Sequence, residues 1–235
     1  MAENAETTTL RIWHASRVGN VSEVREALAA GGDPNAFHIN EEVSLHIICS
    51  SLHIAVYYAH DHLLPILVAA GADVNLRIPK LPYNHEHEGF TPLMVALENQ
   101  LGDGMKKRHA IVAKLVAAGA EVDALVPYAC WEWTAFTFAL HQGCRVSLLH
   151  LLRGGATIHR SVVGRVPSNE VSFRSPCNED CFALLDKIDE AGGFETYATH
   201  QRNVPVAILG KIFGDALPDD VKPTIASFWM PRGGY

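Results

Sequence analysis

The sequence lacks an excess of positive charge. Its 19 lysine and arginine residues are outnumbered by 26 aspartate and glutamate residues, which gives a formal net charge of −7. Proteins that bind nucleic acids concentrate basic residues on one face, because phosphate contacts supply much of their affinity. The one basic run, Lys106 to Arg108, is too short to form such a face. The composition therefore predicts that the chain has no nucleic-acid partner.

Long apolar runs are missing as well. The longest extends from Leu63 to Ala70, whereas a helix that spans a membrane needs about 20 apolar residues. Residues Met1 to Thr9 show neither the basic start nor the apolar core of a secretory signal. The five cysteines are odd in number and scattered, which indicates reduced thiols. We therefore expect no membrane partner and a cytoplasmic or nuclear location.

The sequence shows no recognisable catalytic or metal-binding motif. His85 and His87 could share a metal, and Cys177 and Cys181 lie close together, but zinc sites usually combine two close ligand pairs. The glycine pairs follow predicted helices, where they end the helix and do not cradle a phosphate. No serine or cysteine lies in a known nucleophile motif. We predict a non-enzymatic protein that has no metal site and no cofactor.

What the sequence does contain is a repeated motif. Its clearest copy, Gly89 to Ala96, reads G-F-T-P-L-M-V-A. Thr91 can cap a helix, Pro92 suits the first helical position, and Leu93 and Ala96 then share one helix face. Three weaker copies carry an alanine at the same position, namely Ala15, Ala55 and Ala139.

Each copy is followed by an apolar segment that ends in a glycine turn. The four turns begin at Gly31, Gly71, Gly119 and Gly155. The distance from the alanine to the turn glycine is 16 residues in three copies and 23 in the third, which carries an insertion between its two helices. A shared motif at a shared spacing, over about Thr9 to His159, resembles the ankyrin-repeat family and its T-P-L-H-x-A signature.

This resemblance implies an all-α fold, an ankyrin-repeat solenoid of stacked helix-turn-helix repeats with a helical C-terminal cap. Long β-turn fingers, the connections that lead into each first helix, are expected because these connections exceed those of a plain repeat. We expect a flexible tail at residues 1–8, repeats at about 10–40, 50–80, 91–127 and 134–159, and a degenerate repeat with the cap at 160–235. The resemblance also implies that His53 ties neighbouring repeats together by hydrogen bonds.

In ankyrin-repeat proteins the partner usually lies across the fingers and the inner face of the first helices. Carried over by position, the resemblance implies ten partner-binding residues: Arg17, Tyr57, Tyr58, His87, Phe90, Glu98, Asn99, Trp131, Trp133 and His141. The adjacent tyrosines are the strongest candidates, because aromatic side chains provide large contact areas at small entropic cost. For the two tryptophans, packing between fingers is an equal alternative.

Two functions remain open from the sequence. The first is a non-catalytic module that binds a protein partner through its concave face and fingers. The alternative is a substrate adaptor of a ubiquitin ligase, with the helical segment from Phe194 to Tyr235 as the recruiting box. The stretch that begins with Leu217 and Pro218 resembles such boxes, but their Leu-x-x-x-Cys element is missing because no cysteine follows Cys181. The identity of the partner and the oligomeric state stay undetermined.

Overall fold

The computed structural model describes residues 5–40, 47–80, 87–98, 105–128, 131–158 and 179–199. Three features of the sequence lie outside these residues. They are His85 and Cys177, each one member of a different pair considered as metal ligands, the tip of the insertion in the third repeat, and the C-terminal segment from residue 200 onward.

The described residues form helices and two short hairpins. In chain order the elements are α1 (Ala5–Val18), α2 (Val21–Ala29), β1 (His38–Asn40), β2 (Ile47–Cys49), α3 (Ser51–Tyr57), α4 (Leu64–Ala69), α5 (Pro92–Glu98), α6 (Met105–Ala117), β3 (Val126–Tyr128), β4 (Trp131–Trp133), α7 (Ala135–His141), α8 (Arg145–Arg153) and α9 (Glu179–Glu190). The hairpins β1–β2 and β3–β4 are antiparallel and lie in the connections that lead into α3 and α7.

The helices pair in sequence order. Each first helix (α1, α3, α5 and α7) contacts the second helix that follows it, and the first helices also contact one another in series. The second helices α4, α6 and α8 contact in series as well, and α9 packs on α8. This sequential pairing confirms the predicted helical architecture and is consistent with ankyrin-like repeats.

The shared alanines explain how the first helices approach one another. Ala15, Ala55 and Ala139 are completely buried, and Ala96 is 3% exposed. A larger side chain at this position would push neighbouring helices apart in an already packed interior. The four turn glycines allow the chain to turn after each second helix. All four have φ between 88° and 90°, a region that residues with a side chain rarely adopt.

A row of polar side chains joins each glycine turn to the next. The Asn75 amide donates to the backbone oxygen of Gly119 (3.2 Å) and accepts from the backbone N–H of Glu121 (2.8 Å). Asn35 makes the same pair of bonds to the turn of the second repeat. Asp123 accepts bonds from the turn of the fourth. One position per repeat therefore links each turn to the next by hydrogen bonds.

Removing this link should weaken the stack. We expect Asn75→Ala to lower the free energy of unfolding by about 1–2 kcal/mol, because two backbone groups lose their partner at a partly exposed site. Asn75→Asp should lose less, since an aspartate can still accept the bond from Glu121, as Asp123 does in the next turn. Urea denaturation of the three proteins measures the difference. Equal stabilities for the parent and the alanine variant would contradict this role.

The predicted N-terminal tail is too long. Helix α1 begins at Ala5, and Thr8 is only 1% exposed. The start of the helix is held by the turn after α2, where the backbone N–H of Asp33 donates to the hydroxyl of Thr9 at 3.0 Å. Residues 5–8 therefore belong to helix α1, and Thr8 is buried in the interior.

Candidate functional site

The candidate site is built on the C-terminal ends of the first helices. Two residues after each shared alanine stand Arg17, Tyr57, Glu98 and His141, one at the end of each of α1, α3, α5 and α7. Because these helices contact one another in order, the four residues form a row across the repeats, which we call the helix-end row. His141 is exposed and the other three are partly exposed, so a partner can reach all of them.

The two tyrosines have different surroundings. Their rings meet edge to face at 5.2 Å, and both side chains are partly buried against the core. The Tyr58 ring also stacks on His60 at 6.3 Å, and Nε2 of His60 lies 2.9 Å from the backbone oxygen of Arg17. Tyr57 therefore belongs to the helix-end row, whereas Tyr58 helps to join the first two repeats.

The phenol of Tyr57 stays protonated at neutral pH. Its pKa is raised above the ordinary value of 10, first by burial and then by the neighbouring Tyr58 and Glu98. A neutral hydroxyl can donate a hydrogen bond as well as accept one. Tyr57 thus combines an aromatic face with a polar end, the combination that favours tyrosine at protein interfaces.

A finger histidine contacts the row in the third repeat. Nε2 of His87 lies 2.7 Å from Oε2 of Glu98, and the ring of His87 packs edge-on against Phe90 at 5.1 Å. The His87 side chain is 10% exposed and the Glu98 side chain 25% exposed. The finger therefore fixes the position of a carboxylate that stays open to solvent.

A finger aromatic contacts the row in the fourth repeat. Trp133, the last residue of β4, packs edge-on against His141 and against Phe138 of α7, each with a ring-to-ring distance of 5.3 Å. Trp133 is partly buried. The two contacts are with the helix that follows β4, and the exposed remainder of the side chain borders the row.

Phe90 is a correction to the predicted site. Its side chain is completely buried and packs edge-on against Phe138 of the next repeat at 6.1 Å. The backbone turns it inward, because Ile78 exchanges hydrogen bonds with Gly89 and Phe90 in the manner of a hairpin. Phe90 therefore offers no surface to a partner. Asn99 and the side chain of Trp131 lie outside the described residues.

The structure also shows how His53 is used. Its Nδ1 lies 2.8 Å from the Ser50 hydroxyl, and its Nε2 lies 3.3 Å from the backbone oxygen of Phe90 in the next repeat. The histidine is 1% exposed. The expected bond between neighbouring repeats is thus present, and His53 is a structural residue outside the binding surface.

Two further observations concern the described ranges only. No group of three or more histidine, cysteine, aspartate or glutamate residues within them is arranged to hold a metal ion. Among the helices of the same ranges, none combines the length and apolar character that crossing a membrane requires.

Comparison with known proteins gives one distant relative. The chain is 29% identical over 133 residues to the ankyrin repeat-containing protein P1E11.10 of Schizosaccharomyces pombe. The similarity covers 52% of this chain and 57% of the relative, so the chain spans about half the length of the curated protein that it matches. No family model matches the chain. The relative confirms the resemblance that the repeated motif indicates.

Proposed function

We propose, starting from the confirmed resemblance to ankyrin-repeat proteins, that this chain is a non-catalytic module that binds a protein partner. The repeats, at about residues 10–40, 50–80, 91–127 and 134–159, form a solenoid whose first helices line the concave face. On that face the partner contacts the helix-end row together with Tyr58, His87 and Trp133. The name of the relative mentions repeats and no partner, so the proposal concerns the binding surface.

The observation that carries this proposal is the continuity of the helix-end row. Four residues at one repeat position stand side by side on helices that contact in series. The row presents a guanidinium, a phenol, a carboxylate and an imidazole, and each is at least partly exposed. The buried alanine two positions earlier serves the packing of the helices, whereas the four residues of the row differ in chemistry from one repeat to the next. Their diversity suits recognition of one particular surface.

We further propose a cytoplasmic or nuclear location. The support is the state of two cysteines in the described part of the chain, Cys49 and Cys144, which are buried free thiols. Free thiols are typical of reducing compartments. The ubiquitin-ligase alternative depends on the segment from Phe194 to Tyr235, of which residues 200–235 lie outside the described residues, and no other observation favours it.

The test removes aromatic contact area from the proposed surface. We expect Tyr57→Ala/Tyr58→Ala to weaken partner binding by about 2 kcal/mol or more, as truncation of central interface aromatics typically does. Affinity purification of the full chain beside the double variant, with quantitative mass spectrometry, identifies the partners that are lost.

The control must match the packing that the double variant loses, since both tyrosines are partly buried against the core. Ile66→Ala meets this need, because Ile66 is partly buried against the same core but lies on the second helix α4. Partners lost equally from both variants would reflect destabilisation. A folded double variant that keeps every partner of the parent would refute the proposal.

A further inference from the structure

The carboxylate of Glu98 is positioned by the protein before any partner arrives. Oε2 accepts a hydrogen bond from Nε2 of His87 at 2.7 Å, in the tautomer whose proton lies on Nε2. The His87 ring is itself held, because its side chain is nine-tenths buried and packs edge-on against Phe90. The bond from the imidazole therefore orients the carboxylate of Glu98.

The second oxygen of the same carboxylate remains available. Within the described part of the chain, Glu98 makes no hydrogen bond or ion pair besides the one to His87. A quarter of its side chain is exposed. A carboxylate oxygen has two acceptor positions and pairs most strongly with a positively charged donor. Glu98 is therefore an oriented acceptor with unused capacity at the middle of the helix-end row.

The neighbours of Glu98 also favour a cation. Tyr57 precedes it in the row, and His141 follows it with Trp133 packed alongside. The faces of tyrosine and tryptophan rings attract ammonium and guanidinium groups. Tyr57 lies within electrostatic reach of Glu98, because the carboxylate contributes to the raised pKa of the phenol. The basic residue of the row, Arg17, stands two repeats away on α1.

The charge of the whole chain acts in the same direction. Its formal net charge is −7, which attracts a basic segment and repels an acidic one at long range. An acidic side chain of the partner next to Glu98 would meet a like charge. A neutral side chain of the partner would leave the oriented oxygen of Glu98 without a charged donor.

We infer that Glu98, between Tyr57 and His141, receives a lysine or arginine side chain of the protein partner. This inference rests on the proposed function, since it assigns a chemical class to the partner segment that occupies the helix-end row. The ammonium or guanidinium group donates to the free oxygen of Glu98, and its alkyl stem lies against the ring of Tyr57.

Selection from a library tests the inference without knowledge of the partner. Short random peptides displayed on phage are selected on the immobilised full chain and, in parallel, on Glu98→Gln. The glutamine keeps the size of the side chain and an oxygen that can accept from His87, and equal melting temperatures verify its fold. We expect lysine and arginine to be enriched among the parent's peptides and this enrichment to disappear with the variant.

A double-mutant cycle then isolates the contact. Calorimetric titration with one selected peptide should show about tenfold weaker binding to Glu98→Gln, and about tenfold weaker binding of its lysine→norleucine analogue to the parent. The two changes together should cost little more than either alone. Glu190→Gln, which removes a charge from the exposed end of α9, should change neither affinity.

The possible failures are distinguishable. Selected peptides without basic residues, or peptides that bind the glutamine variant equally well, would overturn the inference and leave the proposed function standing. If the parent selects no peptide and the affinity purification finds no partner that depends on Tyr57 and Tyr58, both the inference and the proposed function fail.

Discussion

Phe90→Ala should lower the free energy of unfolding by about 3–5 kcal/mol, the range typical of a fully buried phenylalanine. Phe90 is completely buried between two repeats, with the ring of Phe138 at 6.1 Å and that of His87 at 5.1 Å. Its removal leaves a cavity that rigid neighbouring helices fill only in part. Because each repeat is stabilised mainly by its neighbours, the loss should spread through the stack.

Urea denaturation followed by circular dichroism measures this loss. Leu125→Ala is the control, since Leu125 is a large apolar side chain that is 52% exposed, and we expect its effect to stay within about 0.5 kcal/mol. If Phe90→Ala were as stable as the parent and failed only in partner binding, Phe90 would belong to the surface after all. The surface location of Phe90 predicted from the repeat alignment would then be correct.

Acidification from pH 7 to pH 5 should destabilise the protein by roughly 2 kcal/mol through His53 alone. Burial lowers the pKa of His53 from 6.5 to about 4, although its hydrogen bond to the backbone oxygen of Phe90 acts in the opposite direction. In the unfolded chain the histidine takes up a proton near its ordinary pKa, whereas in the folded protein it stays neutral. Stability is therefore complete above pH 6.5 and falls as the pH drops toward 4.

Three other histidines add to this dependence with the same sign. Burial is the first cause of a lowered pKa at His38, His109 and His150. The contribution of His53 is separated by comparing the parent with His53→Gln at pH 7 and pH 5. The variant should be less stable at pH 7 and lose less between the two pH values. An identical loss in both proteins would show that His53 is not the group responsible.

Much of the fold could be predicted because its determinants are local. The glycine of each turn needs a positive φ, the alanine needs a close helix contact, and the spacing between them is the same in three of the four copies, so the sequence displays both directly. The side chains that link successive turns by hydrogen bonds also recur at one position in the motif, at Asn35, Asn75 and Asp123. Their role went unpredicted because nothing in the spacing shows that their partners lie in the next repeat.

The site was harder to predict because it depends on the path of the fingers. Repeat position alone places Arg17, Tyr57, Glu98 and His141 in one row. Whether a finger residue then faces inward or outward depends on the hydrogen-bonding register of its connection. Phe90 was assigned to the surface because repeat position does not show this register. The hydrogen bonds that Ile78 makes with Gly89 and Phe90 turn the side chain of Phe90 into the core.

The link between His87 and Glu98 shows the same limit. The two residues are joined across the space between a finger and the end of a helix, at a distance of 2.7 Å. Both were predicted as separate contact residues, and no feature of the sequence pairs them. A conserved spacing cannot reveal such a contact, because the connection before α5 differs in length from the others.

Photocrosslinking from single positions tests the central claim most directly. Benzoylphenylalanine is introduced at position 57 or 141 in the helix-end row, or at Arg25, an exposed residue of the second helix α2. Irradiation of the full chain with its purified partner should join the partner to positions 57 and 141 and not to position 25. Crosslinks from position 25, with none from the two row positions, would place the interface on the second helices and contradict the account.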